Sequence, residues 1–556
     1  MVLEKTLVNR FRFAAMALVP LGIMATTTRV LACGGFFCQA IPINQAGEQI
    51  IFRQDGNMVT AVVLIQYQGD AADFSWVVPV PGIPELSTGS DLAFAPLELA
   101  TRPRFNLETI GAPCIDPNRD GIFGPVAVGG SADSANEDDG VEVLETLVVG
   151  PFDIEIVSSE DAEALAAWLE VNNYDLSDRG RDLIAPYVDE EMNFVALKLR
   201  QDQGVGDLQP LIMRYESGQP MIPIRLTAVA AQPDMGVIVW LLGESRAVPL
   251  NYLHVTPNYT RLNWYFGTFA AYASYQGLIT AAMDEAGGQG FATDYAGRDL
   301  DVLSRLPAVE ALENELVRLS TIADDASFVA GLAGGFVFSQ TKVLEILRRR
   351  LTLPEGEGEF VYQVPELLSA VFTPEELASA RADIVTELHD DVIVPLSETL
   401  AVFDGDPYMT RLYTTLSAHE MTLDPIFSFN PGLDDQGLDR NATLESSCTG
   451  FSSRWTLTLG AGTGREGEVV IDGFGSPPSF TPPIIDQDSV WRTEWVPTSG
   501  SADVVTQKQF PVAQIIGDDA SSGIDLCGAG IAQCGAGMLG FLMFTMFGLR
   551  SMRQRR

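Results

Sequence analysis

Histidine, cysteine and basic residues are scarce in this chain of 556 residues. It has 3 His and 6 Cys, and its 34 Lys and Arg are outnumbered by 74 Asp and Glu, which gives a formal net charge of −40. A chain this acidic repels phosphate backbones, so we predict no nucleic-acid partner. The same charge is typical of a solvated surface that keeps an extracellular protein soluble.

Several catalytic motifs are missing as well. His254, His389 and His419 stand at no metal-ligand spacing with one another or with a cysteine, and we interpret them as core or surface residues. The second histidine of a zinc protease is absent after His419-Glu420, because Leu stands at position 423. No GK[ST] phosphate loop occurs, and the sequence favours a protein that is not an enzyme.

Two glycine patterns imitate known sites. Gly462, Gly464 and Gly467 form a GxGxxG, but EVVIDGF after them has the pattern of a strand, where a dinucleotide site needs a helix. Ser245 lies in GESRA, which lacks the second glycine of a nucleophile elbow. Both segments are predicted to be turns.

The first part of the body is predicted to be rich in strands. The run MVTAVVLIQY has apolar side chains on both alternating faces, which is typical of a strand covered on both sides. The turn signal DGN (55–57) predicts a hairpin between residues 49–53 and 59–67. The three prolines of PVPGIP (79–84) predict an extended segment outside any ladder.

Further along the chain, the spacing of apolar residues alternates between the period of a strand and that of a helix. We predict strands at 152–157, 194–199, 211–215, 222–226, 237–242, 455–459 and 468–471. We predict helices from Ser158 to Asn172, at 177–185, 262–285, 309–319 and 341–351, and at 377–400 with a break at Pro395. Thr373-Pro374-Glu375-Glu376 is a capping box that starts the last of these helices.

These elements predict an α+β fold. It has a β-rich N-terminal body, an inserted helical region, short C-terminal strands and a C-terminal transmembrane or sorting helix. The predicted division is a signal peptide (1–32), a β-rich α+β body (33–300), a mainly helical region (301–424), a β-rich return segment (425–497), a spacer (498–526) and an anchor (527–556).

Six stretches carry a family resemblance. They are CGGFFC (33–38), AGEQIIF (46–52), DFSWVVPVPGIPE (73–85), FVALKL (194–199), GFATDYAG (290–297) and YMTRLYTTLSAHEMTLDPIF (408–427). In this order they resemble the bacterial domain of unknown function family 2330 over roughly residues 33–430. That family has no established activity, so the resemblance implies an identity rather than a function.

The N-terminus has the pattern of a secretory signal. A basic region with Lys5, Arg10 and Arg12 precedes the apolar run 13–24, and VLA (30–32) fits the small-residue cleavage rule. The mature chain is then predicted to start at Cys33. Two alternatives stay open: an uncleaved anchor, or a lipid on Cys33.

Export makes disulfides possible. Cys33 and Cys38 flank a short glycine-containing loop, and we predict that they are bonded to each other. Cys114 is either free or paired with Cys448, and buried thiols are the alternative.

One stretch has the start of a calcium loop. Asp116, Asn118 and Asp120 stand at its first, third and fifth positions, with Gly121 at the sixth. The twelfth position is Ala127, so the bidentate carboxylate is missing. An acidic turn without metal is therefore favoured, and calcium stays the alternative cofactor.

The C-terminus has the pattern of an anchor. Residues 528–549 form an apolar run long enough for the ~20 residues that a membrane span needs. Arg550, Arg553, Arg555 and Arg556 follow, which predicts a cytoplasmic C-terminus and an extracytoplasmic body. With Cys527 and Cys534 before the run, the tail resembles the myxobacterial C-terminal sorting domain, which implies cleavage or lipid attachment near one of these cysteines.

The sequence therefore predicts an exported protein anchored in the membrane of the cell envelope or held at the cell surface. A non-catalytic binding or structural role is the main hypothesis. The alternative is an envelope hydrolase that uses paired carboxylates, which leave no spacing to detect in a sequence.

Overall fold

The turn at Gly56 closes a hairpin that starts the described part of the chain. Asp55 pairs with Met58, so the turn has two residues, and Gly56 has the positive φ of +61° that such turns favour. The computed structural model describes residues 45–64, 74–110, 142–174, 177–200, 208–262, 264, 267–298, 303–449, 452–464, 467–473 and 489–508. The predicted hairpin is confirmed.

The strands are numbered in chain order. They are β1 Gln45–Asp55, β2 Met58–Leu64, β3 Ser75–Val80, β4 Glu85–Thr88, β5 Arg104–Ile110, β6 Glu142–Val149, β7 Phe152–Ser158, β8 Asn193–Leu199, β9 Leu211–Glu216, β10 Ala231–Gly243, β11 Arg246–Pro249, β12 Leu253–Pro257, β13 Gly290–Gly297, β14 Tyr408–Leu416, β15 Phe427–Asn430, β16 Asp439–Thr449, β17 Ser452–Leu459, β18 Gly467–Gly473, β19 Val490–Trp495 and β20 Asp503–Gln507.

The helices are numbered in the same way. They are α1 Phe94–Thr101, α2 Ala162–Val171, α3 Asp178–Asp189, α4 Ile224–Thr227, α5 Gly267–Glu285, α6 Val309–Ser320, α7 Asp325–Ala333, α8 Gln340–Arg350, α9 Pro365–Val371, α10 Pro374–Glu387 and α11 Val394–Ala401. The α+β class predicted from the sequence is confirmed.

A ten-stranded sheet organises the described residues. Its order is β20-β19-β12-β13-β14-β10-β1-β2-β9-β4. β1 runs parallel to β10 and β12 runs parallel to β13, and the other neighbours are antiparallel. The sheet therefore joins strands that are far apart along the chain, such as β1, β10 and β19.

Both faces of the middle of this sheet are covered. Ile50 and Val63 pack against the four-stranded sheet β3-β8-β7-β6 in one apolar cluster. Ile51 and Val62 pack on the opposite face against α1, including Phe94, in a second cluster. The prediction of a strand covered on both sides is confirmed, because neighbouring residues alternate between the two clusters.

A third layer lies over the far half of the sheet. Helix α5 packs with Tyr275 and Ile279 in an apolar cluster that includes Val255 of β12 and Leu444 of β16. β16 belongs to the four-stranded sheet β18-β17-β16-β5, which places α5 between the two sheets. The start of β16 and the turn after β17 line the cavity described below.

Helices α6 to α11 have their own apolar cluster. Leu312, Leu316 and Leu319 of α6 are buried in it at helical spacing, as predicted. Thr373 and Glu376 form the predicted capping box at the start of α10. Between α10 and α11 the helix widens into a π turn at Leu388–Ile393, and Pro395 follows in the first turn of α11, so the predicted break occurs there.

The prediction for the proline-rich segment 79–84 is wrong only at its first two residues. Ser75–Val80 is strand β3, and Pro79 pairs in register with Phe194 of β8. β3 is the edge strand of its sheet, so a proline without an N–H costs no ladder hydrogen bond on its free side. Pro79 and Val80 are therefore strand residues, whereas residues 81–84 connect β3 to β4 outside any ladder, as predicted.

Other local predictions need correction. Residues Ile224–Thr227 are the short helix α4 rather than a strand at 222–226. The cap of α2 is Asp161, whose carboxylate accepts from the N–H groups of Glu163 and Ala164, and not Ser158. Helix α5 begins at Gly267, later than the predicted 262, and its end before Gly287 and Gly288 is confirmed by their positive φ values.

Two strands lie where none was expected. Tyr408–Leu416, inside the segment predicted as mainly helical, is β14 and is buried along its whole length in the ten-stranded sheet. Asp503–Gln507, inside the predicted spacer, is β20 and pairs with β19. Both segments carry several polar side chains, and strand pairing satisfies their backbone groups.

The predicted signal peptide, cysteine loop, calcium loop and C-terminal span lie outside the described residues. Within the described part of the chain, none of the helices combines the length and apolarity that crossing a bilayer requires.

Candidate functional site

A polar cavity of about 500 Å³ lies where three sheets approach one another. Its walls come from β11, from β12 and β13, from β19 and β20, and from the turn between β17 and β18. The loop after β15 and the first residues of β16 close the remaining side. About 300–1,000 Å³ is the usual size of a small-molecule site, so the cavity is large enough to hold a ligand.

Charged side chains line this cavity. They are Arg246, His254, Asp434, Arg440, Arg492 and Glu494. They come from five places in the chain, and strand pairing brings them together. His254 and Glu494, for example, stand directly opposite each other in the β12–β19 pair.

His254 has an ordered set of partners. Its Nε2 lies 3.0 Å from the Thr293 hydroxyl, and its Nδ1 lies 3.5 Å from a Glu494 carboxylate oxygen. Burial lowers the pKa of the His254 ring, and the charge of Arg246 acts in the same direction. The ring is therefore neutral near pH 7, with its Nδ1 proton directed to Glu494 and its Nε2 able to accept from Thr293.

Glu494 is held as an anion. Burial opposes its charge, yet the hydrogen bond with His254 and the neighbouring Arg492 guanidinium keep its pKa below the usual value. Arg492 Nη2 lies 3.2 Å from a Glu494 carboxylate oxygen, two positions along the same face of β19. This carboxylate is thus a counter-ion and not a proton donor near neutral pH.

Arg246 is fixed by backbone. Its Nη1 donates to the carbonyl of Asp434 at 2.8 Å. Burial lowers the pKa of this guanidinium, although arginine stays protonated in proteins. In the part of the chain that the structure describes, the buried Nε atoms of Arg246 and Arg492 have no hydrogen-bond acceptor.

The first three residues of the GxGxxG segment, 462–464, form a rim of the cavity. The segment lies between the antiparallel strands β17 and β18, which confirms the predicted hairpin turn. Gly462 and Gly464 have φ values of +85° and +65°. A Cβ on Gly464 would lie 2.8 Å from the Thr256 methyl group, so the turn can approach β12 this closely only with glycine there.

Comparison with known families places the chain. The family described as "Uncharacterized protein conserved in bacteria (DUF2330)" matches residues 28–327. The chain belongs to this family. No curated protein and no solved structure matches it. The matched region of this DUF2330 protein includes Arg246, His254 and Thr293, whereas Arg492 and Glu494 lie beyond it.

Two of the six stretches quoted from the sequence are neighbouring strands, of which the first lies within the matched residues 28–327 and the second beyond them. GFATDYAG is β13, YMTRLYTTL is β14, and the two strands pair in an antiparallel register that shifts around Asp294. Asp294 and Arg411 are fully buried, with Arg411 Nε 3.3 Å from an Asp294 carboxylate oxygen. The Tyr275 hydroxyl donates to Asp294 at 2.5 Å, and Arg411 donates to the carbonyl of Glu98 at 3.1 Å.

The stretch AGEQIIF places a carboxyl group in an apolar setting. Glu48 is 6 % exposed and lines a cavity of about 30 Å³ together with Trp76, Val78 and Met213. Burial raises its pKa to about 7. One carboxylate oxygen has no hydrogen-bond donor in the described part of the chain.

The hypothesis of paired carboxylates can be compared with these two cavities. It needs two facing carboxyl groups, one of them in an apolar setting. Glu48 has the apolar setting, but it is the one acidic residue among those that line its cavity. Asp434 and Glu494 share a cavity, but arginines line it too and the pKa of Glu494 is lowered.

The predicted site residues lie elsewhere. Asp116, Asn118 and Asp120, the anchor residues Cys527 and Cys534, and the four terminal arginines are outside the described residues, as are Cys33 and Cys38. Their roles stay predictions. In the described ranges, no three His, Cys, Asp or Glu side chains come together in a way that could hold a metal ion.

The cavity is not predicted from the sequence. His254 is expected there only as a core or surface residue, and Arg246, Arg492 and Glu494 carry no predicted role in a site. One local signal existed, since VWRTEW (490–495) places an arginine and a glutamate on one face of a strand. The rest of the cavity depends on strand pairing between distant segments.

Proposed function

We propose that this DUF2330 protein is an exported cell-envelope protein whose folded body binds a small molecule in the polar cavity. The signal pattern ending at residue 32 supports export. The apolar run 528–549 with its arginines supports membrane anchoring, and its cysteines support processing near Cys527 or Cys534. The cavity carries the binding role, because it combines ligand size with fixed charged groups.

The binding role is tested by blocking the cavity. Ala502 lines it and is partly exposed, so Ala502→Trp fills space without changing charge. A library of metabolites is screened by thermal shift with the wild type and this variant. The expected hit raises the Tm of the wild type and not of Ala502→Trp. If every hit stabilised both proteins equally, the cavity would not be the binding site.

The envelope location is tested separately. A chain that lacks residues 527–556 is expected to leave the membrane fraction as a folded protein, because eight apolar side chains between 539 and 549 are each worth about 1.5–3 kcal/mol on burial. Fractionation and circular dichroism measure both outcomes. Retention in the membrane would place the anchor elsewhere, with an uncleaved N-terminal segment or a lipid on Cys33 as the remaining hypotheses.

An acyl-transfer activity is the second candidate function. Thr293, His254 and Glu494 follow one another at 3.0 and 3.5 Å in the order of nucleophile, base and orienting acid. It ranks second because Thr293 is only 9 % exposed. Hydrolysis of p-nitrophenyl acetate by the wild type, lost in Thr293→Val, would support it, whereas equal rates for both proteins would exclude it.

A further inference from the structure

The cavity has a charge balance opposite to that of the chain. Three arginines and two carboxylates line it, and His254 is neutral, so one positive charge is left in a protein of net charge −40. Asp434 is exposed, and water weakens its effect on the interior. The side chains that line the cavity therefore carry an excess of positive charge, whereas the chain as a whole is acidic.

One of the three arginines has a structural task. Arg440 is buried, and its guanidinium donates to the carbonyls of Gly437 at 2.5 Å and Asp294 at 2.7 Å. Its Nε faces the Tyr259 hydroxyl at 3.3 Å. These contacts use all three guanidinium nitrogens. Arg440 therefore holds the cavity wall in place, and it would act on a ligand through its charge rather than through a hydrogen bond.

The other two arginines are under-compensated. In the described residues Arg246 has one carbonyl acceptor and Arg492 has one carboxylate partner, and the buried Nε of each lacks an acceptor. A buried charged group without full partners costs free energy, which a nearby anion reduces. An anion in the cavity would contact the outer nitrogens and also lower the cost at the buried ones.

The apolar residues of the cavity wall indicate which kind of group the anion is attached to. Val248, Val255 and Val496 line the cavity, and about 500 Å³ is far more than a bare ion fills. We infer that the cavity binds a small organic molecule with a carboxylate or phosphate group held by Arg246 and Arg492 and an apolar part against the valines. This inference rests on the binding role proposed above.

Matched probes test the class of ligand. Benzoate and benzamide have the same shape and differ in charge, phenyl phosphate supplies the second anionic group, and inorganic phosphate lacks the apolar part. Isothermal titration is run on the wild type, Arg492→Gln and the cavity-filled Ala502→Trp. Arg214→Gln is the control, because Arg214 pairs with Glu85 in an exposed position on β9 and makes the same charge change elsewhere.

The expected result is binding of benzoate or phenyl phosphate but not benzamide. Affinity should fall on the order of tenfold or more in Arg492→Gln, fall with added salt, and stay unchanged in Arg214→Gln.

Binding of inorganic phosphate alone would contradict the apolar part of the inference. Benzamide bound as tightly as benzoate, and lost in Ala502→Trp alone, would overturn the anion inference while the binding role stands. No cavity-dependent binding by any probe would overturn the anion inference and count against the binding role, which the metabolite screen decides separately.

Discussion

Thr293 and Asp294 are neighbours on β13, yet they belong to two charged regions with different properties. Asp294 lies in a fully buried cluster, where its carboxylate accepts from the Tyr275 hydroxyl and lies 3.3 Å from Arg411 Nε. Arg411 also donates to the Glu98 carbonyl. Thr293 lines the open cavity, where three arginines face two carboxylates. The bulge at Asp294 separates the two, because an extra residue in one strand re-aims its side chains.

The comparison distinguishes structural charge from binding charge. In the buried cluster, one guanidinium stands against one carboxylate and neither side chain is exposed, so neither is open to a ligand. In the cavity, positive charge exceeds its partners and reaches a space large enough for a molecule. Removing an arginine should therefore affect stability in the first region and ligand affinity in the second.

The largest effect is expected when the buried pair is broken. Arg411→Met leaves Asp294 without its cation in a position with no exposure, and such changes cost about 3–5 kcal/mol. Urea unfolding followed by circular dichroism measures the loss. The control is the double variant with Asp294→Leu, which removes both charges and should recover most of the stability. Equal loss in single and double variants would mean that packing, and not charge, dominates the cluster.

Glu48 differs from Asp294, because it is a buried carboxyl group with no cation beside it. Its folded pKa is about 7, against an ordinary value of 4.5, so the folded state binds the proton more tightly than the unfolded state. Stability is therefore full below about pH 4.5 and is lost as the pH rises through 7. The loss amounts to about 3 kcal/mol at most.

Glu48→Gln keeps the shape and removes the ionisation. We expect the variant to be more stable than the wild type by up to about 3 kcal/mol near pH 8, and equal to it near pH 4. Unfolding curves across this pH range check the sign. A stability difference that did not change with pH would contradict the raised pKa.

Much of the fold follows from local sequence signals. The hairpin of β1 and β2 needed only a turn signal at Gly56 and a continuous apolar run, and α10 needed only its capping box. These features act within a few residues, so they can be recognised without tertiary context. Strand β14 was missed because Arg411 and its threonines give it no strand-like apolar pattern.

The cavity could not be derived in the same way. Its main side chains lie at 246, 254, 293, 492 and 494, and parallel and antiparallel pairings of β12 bring three of these strands side by side. No spacing rule connects residues about two hundred positions apart. Such a site depends on register, which only the folded sheet determines.

A smaller effect is expected at the glycine turn beside the cavity. Gly464→Ala places a side chain at φ +65° and a Cβ 2.8 Å from the Thr256 methyl group. The backbone strain costs roughly 1–2 kcal/mol, and the turn should move away from β12. Unfolding measures the cost. Gly218→Ala is the control, because nothing lies within 4 Å of its Cβ position, and it should change stability by less than about 0.5 kcal/mol.

The smallest change in the free energy of unfolding is expected for Arg246→Met, the counterpart of Arg411→Met. Arg246→Met is the same substitution made in the cavity, where the side chain donates to one carbonyl and its buried Nε has no acceptor in the described residues. The lost hydrogen bond costs about 1 kcal/mol, and removal of a poorly compensated buried charge offsets it. We expect the free energy of unfolding to change by less than about 1 kcal/mol, while binding of an anionic ligand weakens. Unfolding and titration on the same preparation separate the two quantities. A stability loss as large as that of Arg411→Met would show that the cavity arginine is structural, and the distinction between the two regions would fail.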